Sequence, residues 1–227
     1  MSTDRIAIVT GTSSGLGMAM ATSLLERGFT VFGGSRTESD IEHDNFIDLE
    51  LDVRDEKSVI KFYNEINKET EVVDLLINNA GICDMNSFSE TSGSEFMDHL
   101  QTNLLGSFYL YKYFEPFIIE DETTCVNIQS ISSKHSYPNT VSYTATEFGK
   151  RGLIETILKE WGRYKIRRAN FYVGAVDTPL WFKYEDLEVD KMLSTEDFIY
   201  VFNTIIDAPE HIQFPDITFL HKDGFID

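Results

Sequence analysis

Three glycines near the start of the chain have the spacing of a turn that can hold a phosphate. They lie in the segment 10–17, which reads TGTSSGLG, between an apolar run and a stretch with helical spacing. Glycine lets the backbone turn sharply and approach an anion closely, and the N–H groups at the start of the following helix stabilise that anion. Because this strand-turn-helix context is the one such a turn requires, we predict a dinucleotide pyrophosphate here rather than an ordinary tight turn. The residues expected to contact it are Gly11, Ser13, Ser14, Gly15, Leu16 and Gly17.

Strand-like and helix-like stretches alternate along the whole chain and would position this turn. Apolar runs predict strands at 5–9, 30–35, 45–51, 74–77, 123–128, 170–173 and 217–220. Helical spacing predicts helices at 17–27, 56–69, 94–113, 143–163 and 196–206, with Gly28 as the C-cap glycine of the first helix. The alternation predicts an α/β three-layer Rossmann fold, a doubly wound parallel sheet of about seven strands with ligands at the strand carboxyl ends. No repeat or linker interrupts it, so we expect a single domain over 1–227.

Composition narrows the classes of partner. The formal net charge is -19, with 19 basic against 38 acidic residues, and this argues against nucleic acid. An acidic surface could attract a basic partner, although a well-solvated surface is the interpretation we favour. A dinucleotide phosphate must then be held by backbone donors and one or two basic groups.

The sequence also predicts where the protein resides. No apolar run approaches the roughly 18 residues that span a membrane, and the N-terminus enters a strand-like run at once, so we expect neither a membrane span nor a signal peptide. Cys83 and Cys125 do not form a CxxC pair. They are expected to be reduced and structural, as in a cytoplasmic protein.

Six segments occur in an order that resembles the short-chain dehydrogenase/reductase family, from residue 5 to about residue 180 and more faintly beyond. They are the glycine turn and the segments 51–53 (LDV), 78–81 (NNAG), 101–106 (QTNLLG), 126–130 (VNIQS) and 173–178 (VGAVDT). The resemblance implies that Asp52 and Val53 contact the adenine end of a nicotinamide dinucleotide and that Asn103 is a catalytic residue that interrupts a helix. It also assigns cofactor binding to Asn79, Ala80, Gly81, Gly174, Val176 and Thr178, although Val173 stands where the family has proline.

The choice between the two nicotinamide dinucleotides is made at the end of the second strand. An acidic side chain there would bind the ribose 2′-hydroxyl of NAD, but this chain has Arg36, which could pair with a 2′-phosphate. The acidic residues Glu38, Asp40 and Glu42 follow closely and would weaken such a site. We predict a preference for NADP(H) over NAD(H).

The family's catalytic residues are matched in part. Ser130 stands where the resemblance places the serine that holds a carbonyl oxygen, and Tyr143 follows at the expected interval as the general acid. The family's lysine, four residues after the tyrosine, is replaced by Glu147. A cation about 5 Å from a phenol favours its ionised form by roughly 3 kcal/mol at an effective dielectric near 20, and a carboxylate acts in the opposite direction. We therefore expect Tyr143 to have a raised pKa and to be a poorer acid near neutral pH.

Other groups could compensate for the missing lysine. Lys150 and Arg151 lie one helical turn beyond Glu147 and could pair with it, but their distance along the helix makes contact with the ribose doubtful. Lys134 and His135 could lie at the cleft mouth, and a protonated Glu147 is a further alternative.

Three functional hypotheses follow from this pattern. The first is a carbonyl reductase or alcohol dehydrogenase that works despite Glu147, with a small carbonyl or alcohol as substrate. The second is a dinucleotide-binding protein that has lost turnover and acts as a sensor or partner, and the third is an active enzyme whose lysine was deliberately replaced. The aromatic segment 179–184 predicts either an apolar or ring-containing substrate or, equally, aromatic packing in the core. The acidic run 185–190 is expected to be a solvated face. Family members often assemble through helices matching 94–113 and 143–163, so a homodimer or homotetramer is expected.

Overall fold

In the computed structural model, parallel strands build one central sheet that brings the glycine turn to its carboxyl edge. The structure describes residues 5–118, 123–164, 166–184 and 187–224. Within these ranges seven strands lie in the order β3-β2-β1-β4-β5-β6-β7, and each neighbouring pair is parallel. The strands are β1 (Arg5–Thr10), β2 (Phe29–Ser35), β3 (Phe46–Glu50), β4 (Leu75–Asn78), β5 (Thr124–Ser130), β6 (Arg167–Val173) and β7 (Phe214–Phe219). The predicted doubly wound Rossmann fold is confirmed.

Helices cover both faces of the sheet. The helices are α1 (Gly15–Glu26), α2 (Glu56–Glu69), α3 (Gly93–His99), α4 (Gly106–Phe114), α5 (Val141–Glu160) and α6 (Thr195–Ile206). Side chains of α1 and α6 pack with Ala7 and Val9 on one face, while α2, α4 and α5 pack with Ile8 on the other. Successive residues of β1 thus enter opposite cores, which is why the strand reads as a continuous apolar run.

The prediction of one continuous helix over 94–113 is wrong. A π-helical segment, Leu100–Leu105, separates α3 from α4. The Asn103 side chain accepts the Ile82 N–H at 2.8 Å and donates to the Ile82 carbonyl at 2.9 Å, so the wider turn fixes a neighbouring loop. Apolar spacing cannot distinguish a π turn from an α turn, whereas the interruption that the resemblance implied at Asn103 is confirmed.

Two other local features bear on the site. Gly28 ends the first helix with a φ of +79°, as its predicted C-cap role requires. The α5 helix begins at Val141, so Tyr143 lies in its first turn beside the end of β5. No helix in the described part of the chain is long and apolar enough to cross a membrane.

Candidate dinucleotide site and active site

The glycine turn closes against itself with no room for side chains. Gly11 has a φ of +81°, a conformation that glycine adopts without strain. A Cβ atom at Gly17 would lie 2.0 Å from the Gly11 carbonyl oxygen, so a larger residue would force the turn open. Ser14 precedes α1 without a side-chain cap, which leaves the first N–H groups of the helix available to an anion. These features fit a pyrophosphate cradle.

The ends of β1 and β4 are tied together beside this turn. The Asn79 side-chain amide donates to the Thr10 carbonyl at 2.8 Å, and the Thr10 hydroxyl accepts the N–H groups of Asn79 and Ala80, each at 3.0 Å. The connections from β1 and β4 lead to opposite halves of the sheet, so a crevice opens between the two strands, as expected for a doubly wound fold.

This crevice is a cleft of about 810 Å³, a size typical of ligand sites. It brings together all the sequence-predicted site residues except one. Its lining includes Gly11, Ser13, Ser14, Gly15, Leu16, Gly17, Arg36, Asp52, Val53, Asn79, Ala80, Gly81, Ser130, Tyr143, Glu147, Gly174, Val176 and Thr178. Asn103 is fully buried behind the wall, where it holds Ile82 and contacts Thr146. Its placement indicates a positioning rather than a contacting role.

One end of the cleft carries two arginines. Arg36 is exposed at the end of β2, while Arg54, which the sequence reasoning missed, binds the Asp52 carboxylate through Nε and Nη2 at 2.9 and 2.7 Å. The hydrogen bond from Arg54 lowers the pKa of Asp52, and the charge of Arg36 lowers it further. The spacing Asp52-Val53-Arg54 could have signalled this pair, because residues two apart in a turn can meet. Asp52 is therefore held as an anion between two cations.

The other end of the cleft holds Ser130 and Tyr143. The Ser130 hydroxyl accepts the Ser132 N–H at 3.0 Å, which fixes the turn that follows β5. Burial raises the pKa of the Tyr143 phenol well above its usual range, and the nearby Glu147 carboxylate raises it further, while a hydrogen bond with Ser130 opposes both. Tyr143 is therefore a protonated donor near neutral pH.

Glu147 turns its carboxylate toward the protein. Its Oε2 accepts the Ser130 N–H at 2.9 Å and the Ser133 hydroxyl at 3.0 Å, and the residue is only 3% exposed. The carboxylate thus braces the turn that carries Ser130. A lysine at this position could not accept these two hydrogen bonds.

Lys150, one of the cations considered as a substitute for the missing lysine, lies in the cleft. It is 2% exposed, lines the cleft beside Glu147, and its Nζ donates to the Ile128 carbonyl at 3.0 Å.

The other three candidate groups lie elsewhere. Arg151 pairs with Glu155, Lys134 binds Asp216 and Thr218, and His135 is exposed.

Cys83, Met85 and Trp181 also line the cleft. Burial raises the pKa of the Cys83 thiol to about 12, so this cleft residue is an inert thiol. The Met85 N–H donates to the Tyr184 hydroxyl at 2.6 Å, which ties the segment after β6 to the opposite wall. Trp181 of the aromatic segment lines the cleft, whereas Phe182 is 73% exposed. Three further lining residues come from the segment after β7 and were not predicted from the sequence: Leu220, His221 and Gly224. No group of three or more metal-ligating side chains occurs within the described ranges.

A dinucleotide cleft at the switch point of a seven-stranded Rossmann fold, with a serine and a tyrosine at its far end, defines a class of nicotinamide-dependent oxidoreductases. Residues 5–188 match the family model described as short chain dehydrogenase, and the chain belongs to that family. It is 28% identical to Dehydrogenase/reductase SDR family member 11 of Homo sapiens, over 94% of this chain and 93% of that protein. It is 29% identical to 3-amino-tetrahydro-pyrrolizinone reductase of Xenorhabdus hominickii, over 80% of this chain and 65% of that protein. In fold it is similar to an alcohol dehydrogenase from Thermococcus sibiricus complexed with 5-hydroxy-NADP, with a TM-score of 0.85, 22% identity and coverage of 96% and 97% of the two chains.

Proposed function

We propose that this protein is an NADP(H)-dependent carbonyl reductase or alcohol dehydrogenase in which Tyr143 is the general acid/base and Ser130 holds the reacting oxygen. The observation that carries the proposal is the single cleft that joins the glycine cradle to Ser130 and Tyr143. The glycine turn holds the pyrophosphate, and Gly174, Val176 and Thr178 line the wall assigned to the nicotinamide carboxamide. When bound, the dinucleotide supplies the hydride.

The residues of the chain supply the proton and the orientation. The Ser130 hydroxyl donates a hydrogen bond to the substrate carbonyl oxygen, and Tyr143 transfers its phenolic proton to that oxygen as the carbonyl carbon gains hydride. The phenolate then takes a proton from solvent through the cleft. In the opposite direction the phenolate must accept the alcohol proton, and a raised phenol pKa makes that form scarce at neutral pH. The raised pKa therefore keeps Tyr143 in the protonated form that reduction uses, and the same shift makes the phenol a weaker acid.

Replacement of the phenol tests this proposal. We expect Tyr143→Phe to lower kcat for NADPH-dependent reduction of a carbonyl panel by roughly 10²–10⁴-fold, because the proton donor is lost, while NADPH affinity measured by calorimetry stays within about threefold. Tyr200→Phe is the matched control, since Tyr200 is 76% exposed on α6. Turnover that survives Tyr143→Phe unchanged would refute the assignment of the acid.

A second candidate function is a dinucleotide-binding protein without turnover, which Glu147 favours because it raises the pKa of Tyr143. That candidate predicts NADPH binding to the parent protein, no turnover with any carbonyl or alcohol, and a gain of activity in Glu147→Lys. Measurable turnover by the parent excludes it. Absence of both NADPH and NADH binding in calorimetry would exclude the two candidates together.

We also propose that the protein is cytoplasmic and that it forms a homodimer or homotetramer through α4 and α5. Phe108 on α4 and Phe148 on α5 expose 39% and 47% of their surface, so apolar area remains to be covered there. Sedimentation equilibrium tests the assembly, and a monomer at micromolar concentration would remove it.

A further inference from the structure

Two buried residues of opposite charge follow Tyr143 on the same stripe of α5. Glu147 and Lys150 stand four and seven residues after Tyr143, a spacing that places all three side chains on one helix face. Glu147 is 3% exposed and Lys150 is 2% exposed, and both line the cleft. Fully buried charges are costly unless each is compensated, so the two burials need a common explanation.

The hydrogen bonds of the two groups show how they share the site. Oε2 of Glu147 accepts from the Ser130 N–H and the Ser133 hydroxyl, two neutral donors that do not balance its charge. Lys150 carries three N–H protons and gives one to the Ile128 carbonyl, two residues before Ser130 on the same strand. Both side chains therefore attach α5 to the last residues of β5. Burial lowers the pKa of Lys150, and the charge of Glu147 opposes that shift.

We propose that Lys150 is a positioning residue of the active site, whose buried ammonium compensates the Glu147 carboxylate and so allows that carboxylate to hold the Ser130 turn. The site thus carries a buried cation one helical turn further along α5 than the position at which the family's lysine is expected. The coupling rests on the burial of both groups on one face of α5 and on their hydrogen bonds to the same end of β5, not on a direct contact between them. Its effect on turnover rests on the proposed function.

A double-mutant cycle on thermal unfolding tests the coupling. The proteins are the parent, Lys150→Met, Glu147→Gln and the double variant. We expect Lys150→Met to lower the Tm by roughly 5–10 °C, because it leaves a buried carboxylate without its cation, and to cost less than half as much when Glu147→Gln is present. Lys159→Met, an exposed lysine on the same helix, should leave the Tm within about 1 °C.

A reversal of sign gives the sharper test. In the Glu147→Lys background Lys150 would face a like charge, so Lys150→Met should raise the Tm there although it lowers the Tm of the parent. Lys150→Met effects that are equal in all three backgrounds overturn the proposal, because a lysine that serves only Ile128 would be insensitive to residue 147. If Lys150→Met does not fold, recovery of a folded protein in the double variant supports the coupling, and failure of both overturns it.

Kinetics separate a positioning role from a purely structural one. We expect Lys150→Met to lower kcat of carbonyl reduction about tenfold, with the KM for NADPH changed less than threefold, and Glu147→Gln to restore part of that loss. A coupled melting cycle with unchanged kcat would overturn the positioning role. A parent protein that binds NADPH without any turnover would instead contradict the proposed function, and the melting cycle would still decide the charge coupling.

Discussion

The two ends of the cleft are built by different physical means. At the glycine turn the backbone makes the site, because Gly17 packs against the Gly11 carbonyl and α1 presents its first N–H groups without a side-chain cap. At the α5 end side chains make the site, because the buried Glu147 carboxylate accepts the Ser130 N–H and Lys150 lies buried one helical turn further along. The backbone end tolerates little change because its contacts are steric. At the side-chain end, the proposed coupling of Glu147 and Lys150 predicts that the two charges must change together.

A substitution in the glycine turn should have the largest single effect on dinucleotide binding. We expect Gly17→Ala to weaken NADPH and NADH binding by at least roughly 100-fold, about 2.7 kcal/mol, because the added Cβ would displace the Gly11 carbonyl and open the cradle. Gly152→Ala is the matched control, since no atom lies within 4 Å of a Cβ there and alanine favours the helix. Calorimetry on folded protein, checked by circular dichroism, makes the measurement. Unchanged affinity in Gly17→Ala would contradict the conclusion that steric contacts of the backbone build the glycine turn.

At the Ser130–Tyr143 end of the cleft, the rates of the two reaction directions should depend on pH differently. Burial and then Glu147 raise the pKa of Tyr143, so the phenol stays protonated to above pH 10. Reduction needs the phenol and should be independent of pH between 7 and 9 where chemistry limits the rate. Alcohol oxidation needs the phenolate and should rise roughly tenfold per pH unit, about 100-fold over the same range. An oxidation rate that reaches a plateau near pH 7 would contradict the raised pKa.

The same pH argument extends to stability. A phenol whose pKa is raised by folding leaves stability independent of pH while the native and unfolded tyrosine are both protonated, which holds below about pH 10. Above that value the unfolded state releases a proton that the native state keeps, and the native state becomes less stable as pH rises. The Tm of Tyr143→Phe should therefore fall less steeply than that of the parent above pH 10.

Weakening the hydrogen bonds of Glu147, which hold the Ser130 turn, should have a smaller effect on stability. Ser133→Ala removes a hydroxyl donor to the buried Glu147 carboxylate and should lower the free energy of unfolding by about 2 kcal/mol, as for hydrogen bonds to charged groups. Ser132→Ala is the neighbouring control, because Ser132 bonds Ser130 through its backbone N–H. Urea unfolding measures both variants. Equal losses would show that the carboxylate does not depend on Ser133.

The difference between the two ends also explains what the sequence predicted. The sequence predicted features that depend on residues close together along the chain. These are the glycine turn, the positions of the strands, and the placement of Tyr143 and Glu147 on one helix face. The attachment of Lys150 to Ile128 depends on how α5 packs against β5. The π segment at Leu100–Leu105 depends on a loop at Ile82 that its own sequence does not specify. Tertiary contacts decided both features, and a helical or apolar pattern contains no information about them.

The choice of dinucleotide sharpens the comparison, because it depends on an exposed side chain close to the backbone-built glycine turn. We expect Arg36→Gln to weaken NADPH binding about tenfold, or 1.4 kcal/mol, and to leave NADH binding within twofold, since only a 2′-phosphate would engage the guanidinium. Arg54 is already paired with Asp52, so Arg54→Gln should weaken both dinucleotides alike. Lys57→Gln, an exposed lysine nearby in sequence, should affect neither. If Arg36→Gln weakens NADH and NADPH equally, Arg36 contributes a general attraction to phosphate and does not select NADP(H).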